Sequence, residues 1–270
     1  MSADVTTDRS TEPSVGTTDR RGGYATWTPS ITPGIGRPLT DEQRLALSFR
    51  WLAREGFAEN LAGHITWQRP GADSMLVNPW GLWWSEISAS DICEVDADGH
   101  VLSGRWDVTP AIHIHTELHR RRPDARVVVH NHPYHVCVLA AIGALPEIAH
   151  QTASMFAGDL AFIDEYTGEI DSADLGADLA ERIGDASVVF LASHGIIVTG
   201  ATVEQATYRA ASIDRICRMT LDIRRSGSPA FPLDPGAVAG MKESLLDRGA
   251  DIYFDGLARQ LIRSEPEVLA

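Results

Sequence analysis

The chain contains almost no lysine: Lys242 is its single lysine, beside twenty-two arginines. Covalent catalysis through a Schiff base needs a lysine whose amine is deprotonated in a desolvated pocket. Lys242 lies in the segment MKESLLDRG, whose pattern is typical of the exposed face of a late helix. Amine-based covalent catalysis is therefore disfavoured. An enzyme of this sequence that forms a carbanion-like intermediate would need a metal ion instead.

Cysteine is scarce as well. Cys93, Cys137 and Cys217 are odd in number, widely separated and without metal-binding spacing. This pattern predicts buried, reduced thiols in a cytoplasmic protein. The first 23 residues have no apolar core of the kind that a secretory signal requires, which leads to the same expectation.

Long apolar runs and an excess of positive charge are also missing. No stretch approaches the ~18 consecutive apolar residues that a membrane span needs. The net charge is −14 and the pI is about 5.0, whereas nucleic acids and anionic membranes bind to basic faces. The sequence therefore predicts no nucleic-acid partner and no membrane partner. Its 44% of apolar residues suffices for a sizeable core.

The composition divides the chain into an arm and a folded domain. Residues 1–37 are rich in Ser, Thr, Asp, Arg, Gly and Pro, which predicts a disordered N-terminal arm. Residues 38–270 form the predicted domain, which opens with a helix capped by Thr40 or Asp41 and ends in helices after Pro235. Because helices and strands alternate irregularly between these ends, we expect an α/β protein. Its predicted architecture is an α/β/α sandwich around a mostly antiparallel central sheet.

Histidines stand at the ends of two apolar strands. His130 and His132 flank Asn131 at the end of ARVVVHNH, and residues two apart in a strand point the same way. His194 follows the apolar segment VVFLAS, and Gly195 allows a close approach of the backbone there. Three neutral imidazoles are a catalytic metal set that leaves a position open for substrate. The pattern predicts a metal site at His130, His132 and His194, over the alternative of structural histidines.

Two longer segments carry a family resemblance. RRRPDARVVVHNHPYHVCVLA and SVVFLASHGIIVTGATVEQATYRA resemble the two signature stretches of the class II aldolase and adducin family. The resemblance covers about residues 40–225. It implies a class II aldolase-like α/β/α sandwich, a homotetramer with the active site between subunits, and metal ligands at His130, His132 and His194.

The helix before the first signature departs from the family's aldolases. These carry a metal-binding, proton-transferring Glu before the R-P-D motif and a His four residues later. Here those positions hold Ala111 and His115, so the carboxylate-dependent aldolase mechanism is not expected. We predict that His115 is a catalytic proton donor or a partner of the metal ligands, and that His64 orients a carboxylate or phenol of the substrate. His119, one turn further on, is expected to face solvent.

The phosphate-binding turns of the family's sugar-phosphate aldolases are replaced too. The matching segments read GHIT and PWGLWW, and three tryptophans make a poor phosphate site but a good apolar wall. Trp80, Trp83 and Trp84 are therefore predicted to bind the substrate, together with Tyr166 from an irregular stretch. The alternative for each tryptophan is packing in the core or at a subunit interface.

The loss of the Glu narrows the resemblance to one group of the family. Ala111, the Trp80–Trp84 loop and the run TPAIHIH resemble the Glu-lacking non-heme iron oxygenase/decarboxylase group of aminocoumarin antibiotic biosynthesis. That likeness implies an Fe(II) oxygenase that uses dioxygen for oxidative decarboxylation. Its substrate would be a small aromatic 2-oxo acid, a (prenylated) 4-hydroxyphenylpyruvate, and its product a 4-hydroxybenzoate. Fe(II) is favoured as the divalent metal, with Zn(II) as the alternative.

Two other functions stay open at this point. One is a non-oxidative metal-dependent decarboxylase, or an aldolase or lyase, acting on a hydroxyaryl acid. The other is an adducin-like interaction module without catalysis. The retained His130, His132 and His194 count against the module, because adducin-type domains lose these histidines.

Overall fold

A computed structural model describes residues 16–21, 24–166 and 168–270 of the chain. The predicted disordered arm, residues 1–37, lies partly outside the described residues and remains a prediction there. In the described part of that range, strands β1 (Thr17–Arg21) and β2 (Tyr24–Thr28) pair as an antiparallel hairpin.

The remaining described strands form one eight-stranded sheet in the order β6-β5-β4-β3-β7-β10-β9-β8. Its neighbouring strands are antiparallel throughout, apart from the parallel pair β8–β9. The prediction of a mostly antiparallel central sheet is therefore confirmed. The strands are β3 (His64–Gln68), β4 (Met75–Val77), β5 (Cys93–Val95), β6 (Val101–Ser103), β7 (Val127–Asn131), β8 (Leu160–Ile163), β9 (Val188–Leu191) and β10 (Ile196–Gly200).

The helices begin and end near the signals in the sequence. Thr40 accepts from the Gln43 amide while the Gln43 side chain accepts from the Thr40 amide, which is the reciprocal capping box that starts the first helix. A π turn, Leu245–Gly249, joins the last two helices. The helices are α1 (Asp41–Arg54), α2 (His113–Arg121), α3 (Tyr134–Ala141), α4 (Ala173–Ile183), α5 (Val203–Ser226), α6 (Pro235–Ser244) and α7 (Ala250–Ser264). None in the described ranges is long and apolar enough to cross a bilayer.

The central strand β7 separates two apolar cores. Val127 and Val129 belong to the larger core, which packs the sheet against α1, α3, α5 and α7. Val128 points the other way, into a second core with α2 and α4. Because alternate residues of a strand face opposite sides, one strand serves both cores. The predicted α/β/α sandwich is thereby confirmed.

One strand lies where the sequence shows no clear pattern. The stretch from 144 to 171 lacks periodicity, yet Leu160–Ile163 forms β8 and pairs with β9. A run of four apolar residues without alternation cannot be distinguished from a loop or a helix segment by its period alone. The position of this strand is fixed by its pairing with a distant segment.

Trp84 belongs to the core and does not form a substrate wall. Its side chain is fully buried, with its ring 5.0 Å from that of Phe49 and 6.3 Å from that of Phe57. Its indole Nε1 donates to the Gly63 carbonyl at 3.3 Å, so the polar atom is also satisfied inside the protein. The prediction that Trp84 contacts the substrate is therefore wrong, because a tertiary pocket beside α1 buries it.

The burial of Trp84 predicts a large effect on stability. Trp84→Ala should lower the free energy of unfolding by about 3–5 kcal/mol, since it leaves a cavity beside two aromatic rings. Trp83→Ala is the matched control, because Trp83 is half exposed and its removal should cost about 0.5 kcal/mol or less. Urea unfolding of both variants measures the difference. Equal losses would contradict the placement of Trp84 in the core.

Candidate metal centre

The sheet brings the three predicted metal histidines together. Strand β7 ends at Asn131, His132 follows it, and His194 lies in the turn that leads from β9 into β10. Ile196 pairs with Asn131 in the β7–β10 ladder, which places the turn beside the end of β7. The ring centroids of His130, His132 and His194 are 4.9–5.1 Å apart, and their ligand nitrogens all lie within 4.8 Å of one another.

Gly195 makes this close approach possible. A Cβ atom at residue 195 would lie 2.5 Å from the Asn131 carbonyl oxygen and 2.5 Å from Cδ2 of His132. No side chain fits such distances, so the turn can pack against the end of β7 only with glycine at this position. The sequence signal, a glycine directly after His194, thus has a steric cause.

Hydrogen bonds orient two of the rings. His130 Nδ1 lies 3.0 Å from the Ile196 carbonyl oxygen, which can only accept, so Nδ1 carries the hydrogen. His132 Nδ1 is 2.8 Å from a carboxylate oxygen of Glu59 and donates to it in the same way. When each ring binds a metal in its neutral form, Nε2 is then the nitrogen with the free lone pair. A carboxylate or carbonyl behind a histidine is the usual support of a metal-binding imidazole.

Asn131 holds the preceding loop against the site. Its side-chain oxygen accepts from the backbone amides of His132 at 2.7 Å and of Glu59 at 3.3 Å. Its amide nitrogen donates to the Ala62 carbonyl at 3.3 Å. The fully buried Asn131 side chain therefore fixes the loop that supplies Glu59.

The donor set fits a divalent metal ion. The Nε2 atom of His132 is buried and has no hydrogen-bond partner among the described residues, as expected of a nitrogen reserved for a metal. Burial and the neighbouring histidines hold the pKa of His130 well below its usual range. Burial, followed by His132, lowers the pKa of His194 to about 4. Neutral imidazoles with free lone pairs are the ligand form that metals require.

A cavity of about 360 Å³ opens beside these histidines. Ala111, which the sequence resemblance matches to the aldolase Glu, lies in its wall, and Glu169 is the one carboxylate among the described lining residues. Tyr166 lines the cavity with its ring 6.2 Å from that of His194. Trp80 lines it too and is 63% exposed, whereas Trp83 is exposed outside the described lining. The lining residues are Leu61, Ala62, Gly63, His64, Asn78, Pro79, Trp80, Thr109, Ala111, Ile114, His130, His132, Tyr166, Gly168, Glu169, Ile170 and His194.

His64 and His115 occupy different depths. His64 lines the cavity, and its Nδ1 lies 3.0 Å from Nε2 of His115. His115 is fully buried behind it and is absent from the described lining, so it can reach a substrate only through His64. The predicted direct catalytic role of His115 is corrected on this point, because α2 packs its side chain against the sheet.

Thr66 links His115 to a further buried histidine. Its hydroxyl oxygen is 2.8 Å from Nδ1 of His115 and 2.8 Å from Nε2 of His119. His119 is 4% exposed, so the expectation that it faces solvent is wrong. His119 lies one helical turn after His115 and is therefore on the same face of α2.

Glu59, Thr66, Asn131 and Glu169 escaped the sequence analysis. Glu59, Thr66 and Glu169 stand in no motif with a fixed spacing to the histidines, and each reaches the site through a loop or a neighbouring strand. The signal that could have indicated Asn131 is its place in the run H-N-H, as an amide between two predicted ligands. Its environment becomes evident only when the loop before β3 is placed.

The chain belongs to the class II aldolase and adducin family: the model of the class II aldolase and adducin N-terminal domain matches residues 43–221. The chain is 32% identical to 3,4-dihydroxyphthalate decarboxylase of Arthrobacter keyseri over 81% of this chain and 90% of that protein. It is 33% identical to 4-hydroxy-3-prenylphenylpyruvate oxygenase/4-hydroxy-3-prenylbenzoate synthase of Streptomyces roseochromogenus subsp. oscitans over 66% of each chain.

A solved structure supports the fold. The L-fuculose 1-phosphate aldolase from Glaciozyma antarctica PI12 superposes with a TM-score of 0.74 over 87% of this chain and 98% of that one, at 22% identity. At this identity the likeness shows the class II aldolase fold alone. Together, the family, the decarboxylase relatives and the possible three-histidine site support a metal-dependent decarboxylase or lyase.

The support that Glu59 gives to His132 can be measured. Glu59→Gln should weaken Zn(II) binding roughly 10- to 100-fold, because the ring loses a charged acceptor behind the ligand. His132→Ala should abolish tight binding. Competition of the variants against a chromophoric chelator gives both affinities, and Glu55→Gln, in the cap of α1, is the control. Unchanged affinity in Glu59→Gln would contradict the assigned support.

The buried His119 predicts a pH dependence of stability. Burial lowers its pKa from 6.5 to about 4, so the unfolded chain binds this proton more readily than the folded one. Stability should therefore fall as the pH drops from about 6.5 to about 4. Each such proton contributes up to about 1.4 kcal/mol per pH unit. His119→Gln should flatten that slope in urea unfolding followed across the range, and an identical slope would contradict the neutral buried form.

Proposed function

We propose that this chain is a metal-dependent decarboxylase of a hydroxylated aromatic acid. The observation that supports this best is the combination of three clustered imidazoles with an alanine at the position of the aldolase Glu. Ala111 has no carboxylate and therefore cannot abstract a proton as that Glu does. Decarboxylation needs no such base, because the electron pair is released when carbon dioxide departs.

Different residues of the chain would hold the metal, bind the substrate and supply the proton around the bond that breaks. Held by His130, His132 and His194, a divalent ion would supply Lewis-acid stabilisation of negative charge on a chelating hydroxy acid. His64 contacts a substrate oxygen from the cavity wall. The bond to the carboxylate carbon breaks, its electron pair stays on the ring carbon, and a proton replaces the carbon dioxide. Tyr166 and Glu169 are the lining groups able to deliver that proton.

The substrate class follows from the relatives and the cavity. One relative that aligns over most of both chains is a decarboxylase of 3,4-dihydroxyphthalate, an acid whose hydroxyl and carboxylate oxygens can chelate a metal. The cavity offers Ile114, Ile170 and Trp80 as apolar contacts for one aromatic ring. A hydroxyaryl acid therefore matches both the histidines and the apolar side chains that line the cavity.

The second candidate is an Fe(II) oxygenase that uses dioxygen for oxidative decarboxylation of a prenylated 4-hydroxyphenylpyruvate. The likeness to the 4-hydroxy-3-prenylphenylpyruvate oxygenase favours it, as does Trp80, an exposed aromatic side chain at the cavity that could cover a prenyl group. The usual iron triad of such oxygenases includes a carboxylate. The cluster of His130, His132 and His194 has none, which ranks this candidate second.

The two candidates differ in their need for oxygen. The protein is reconstituted anaerobically with Zn(II) or Fe(II) and given 3,4-dihydroxyphthalate, 4-hydroxyphenylpyruvate or its 3-prenyl derivative. Carbon dioxide release without oxygen supports the first proposal. Iron-dependent oxygen uptake coupled to carbon dioxide release supports the second. Absence of carbon dioxide release with all three acids and both metals would overturn both.

Introducing a carboxylate at residue 111 should not increase the rate of decarboxylation. Ala111→Glu would place a negative charge in the cavity that must accept an anionic acid, and like charges in close contact are costly. We expect decarboxylation to fall about tenfold or more, with Ala111→Gln as the uncharged control of similar size. Initial rates of carbon dioxide release compare the variants. A large gain in Ala111→Glu would show that the reaction depends on a carboxylate base.

A further inference from the structure

A chain of buried hydrogen bonds leads from the cavity wall into the protein. Its order is His64, His115, Thr66 and His119, with contacts of 3.0, 2.8 and 2.8 Å. All four side chains lie between the sheet and α2, and each is at most 8% exposed. In such a row, the direction of the hydrogen bond at one end determines which atom donates and which accepts at the other end.

The hydrogens in this row can be counted. All three rings are buried, and burial disfavours the charged imidazolium. Burial accordingly lowers the pKa of His115 well below its usual range and that of His119 to about 4. Each ring is therefore neutral near pH 7 and carries one N–H, and Thr66 carries one O–H. Thr66 is fully buried, and its hydroxyl contacts only His115 and His119 among the described residues, so its hydrogen must be donated to one of these two rings. With one hydrogen for each contact, all three bonds then run in the same direction. Only two arrangements are possible.

The far end of the row decides between them. If the bonds run inward from His64, Nδ1 of His119 must carry its hydrogen. That atom is buried and has no acceptor in hydrogen-bond geometry among the described residues. Hydrogen bonding by the Ala125 backbone raises the pKa of His119 against the effect of burial, but this backbone does not reach hydrogen-bond geometry at Nδ1. A buried N–H without an acceptor is rare and costly. If the bonds run outward, from His119 towards His64, Nδ1 of His119 carries no hydrogen. The hydrogen of His119 is then on Nε2, which donates to Thr66.

The outward direction assigns every hydrogen. His119 Nε2–H donates to the Thr66 oxygen, the Thr66 hydroxyl donates to Nδ1 of His115, and His115 Nε2–H donates to Nδ1 of His64. Nδ1 of His64 is then an acceptor, and the single hydrogen of His64 must reside on Nε2.

We propose that this row of hydrogen bonds fixes His64 in its Nε2–H form, so that His64 donates a hydrogen bond to an anionic substrate oxygen and is neither a fourth metal ligand nor a base. Thr66 and His119 act as positioning residues through it. The role of His64 as a donor to a substrate oxygen rests on the proposed function, whereas the assignment of its tautomer does not. A fixed donor in the wall favours substrates that present a carboxylate or phenolate oxygen beside the metal histidines, because such an oxygen is an acceptor only.

The tautomer can be measured without turnover. Solid-state ¹⁵N spectra of the Zn(II)-loaded protein, labelled in the histidine rings, distinguish protonated from bare nitrogens. His64→Gln and His119→Gln assign the signals. We expect the hydrogen on Nε2 of His64, His115 and His119. A hydrogen on Nδ1 of His64 or of His119, identified by the loss of that signal in the corresponding variant, would overturn the proposal.

Variants of Thr66 test whether the row sets the tautomer. Thr66→Val removes the linking hydroxyl with little change of shape, whereas Thr66→Ser keeps it. Thr199→Val is the matched control, because Thr199 is equally buried and pairs with Val128 from the other side, as Thr66 does. Thr66→Val should give both tautomers of His64, and Thr66→Ser and Thr199→Val only one. An unchanged His64 spectrum in Thr66→Val would show that the row does not set the tautomer.

Activity separates this inference from the proposed function. With an acid that is decarboxylated, Thr66→Val should lower kcat roughly tenfold, and Thr66→Ser should restore most of it. If no acid is turned over but the spectra are as expected, the proposed function fails and the tautomer assignment stands. If turnover occurs and kcat of Thr66→Val equals that of Thr199→Val, the donor role of His64 is contradicted.

Discussion

The geometry of the site depends on the polar groups buried at the end of β7. Buried polar atoms must find partners, and this strand ends in His130 and Asn131 inside the protein. The Ile196 carbonyl satisfies His130, while Asn131 binds the loop from Glu59 to Ala62. Both requirements bring neighbouring segments to one point, because the partners are backbone groups of the turn into β10 and of the loop before β3. The clustering of His130, His132 and His194 is thus a consequence of pairing the polar groups at the end of β7.

Much of the fold could be predicted from local signals. The cap at Thr40 and the apolar run that became β7 are encoded within a few residues, so each is visible in the sequence. Strand β8 is not encoded in this way. Its residues 160–163 pair in parallel with β9, and a short apolar run gives no indication of a partner that lies more than twenty residues later. The missed element therefore reflects a long-range interaction, which no local pattern contains.

The site shows the same division between local and tertiary information. The H-x-H spacing and the glycine after His194 place the ligands, because both features act over a few residues. Side-chain depth could not be predicted. Trp84 and His119 were expected at surfaces, and both are buried because α1 and α2 pack over them. A tryptophan or a histidine has the same local pattern in a pocket wall as in a core, so only the packing of helices decides.

The missing carboxylate and the neutral histidines have a common electrostatic consequence. In the family's aldolases a Glu beside the ligands would offset part of the charge of a divalent ion, whereas here Ala111 offsets none. Burial keeps His64, His130 and His194 neutral, so they add no charge of their own. An ion bound to the three imidazoles would have no anionic ligand among them, with Glu59 contributing only from behind His132, in a partly desolvated cavity where charge is poorly tolerated. A substrate with carboxylate and phenolate oxygens would supply the compensating negative charge. The absence of a carboxylate among the three ligands would thus favour dianionic acids, and a hydrogen-bond donor at His64 would add to the same preference.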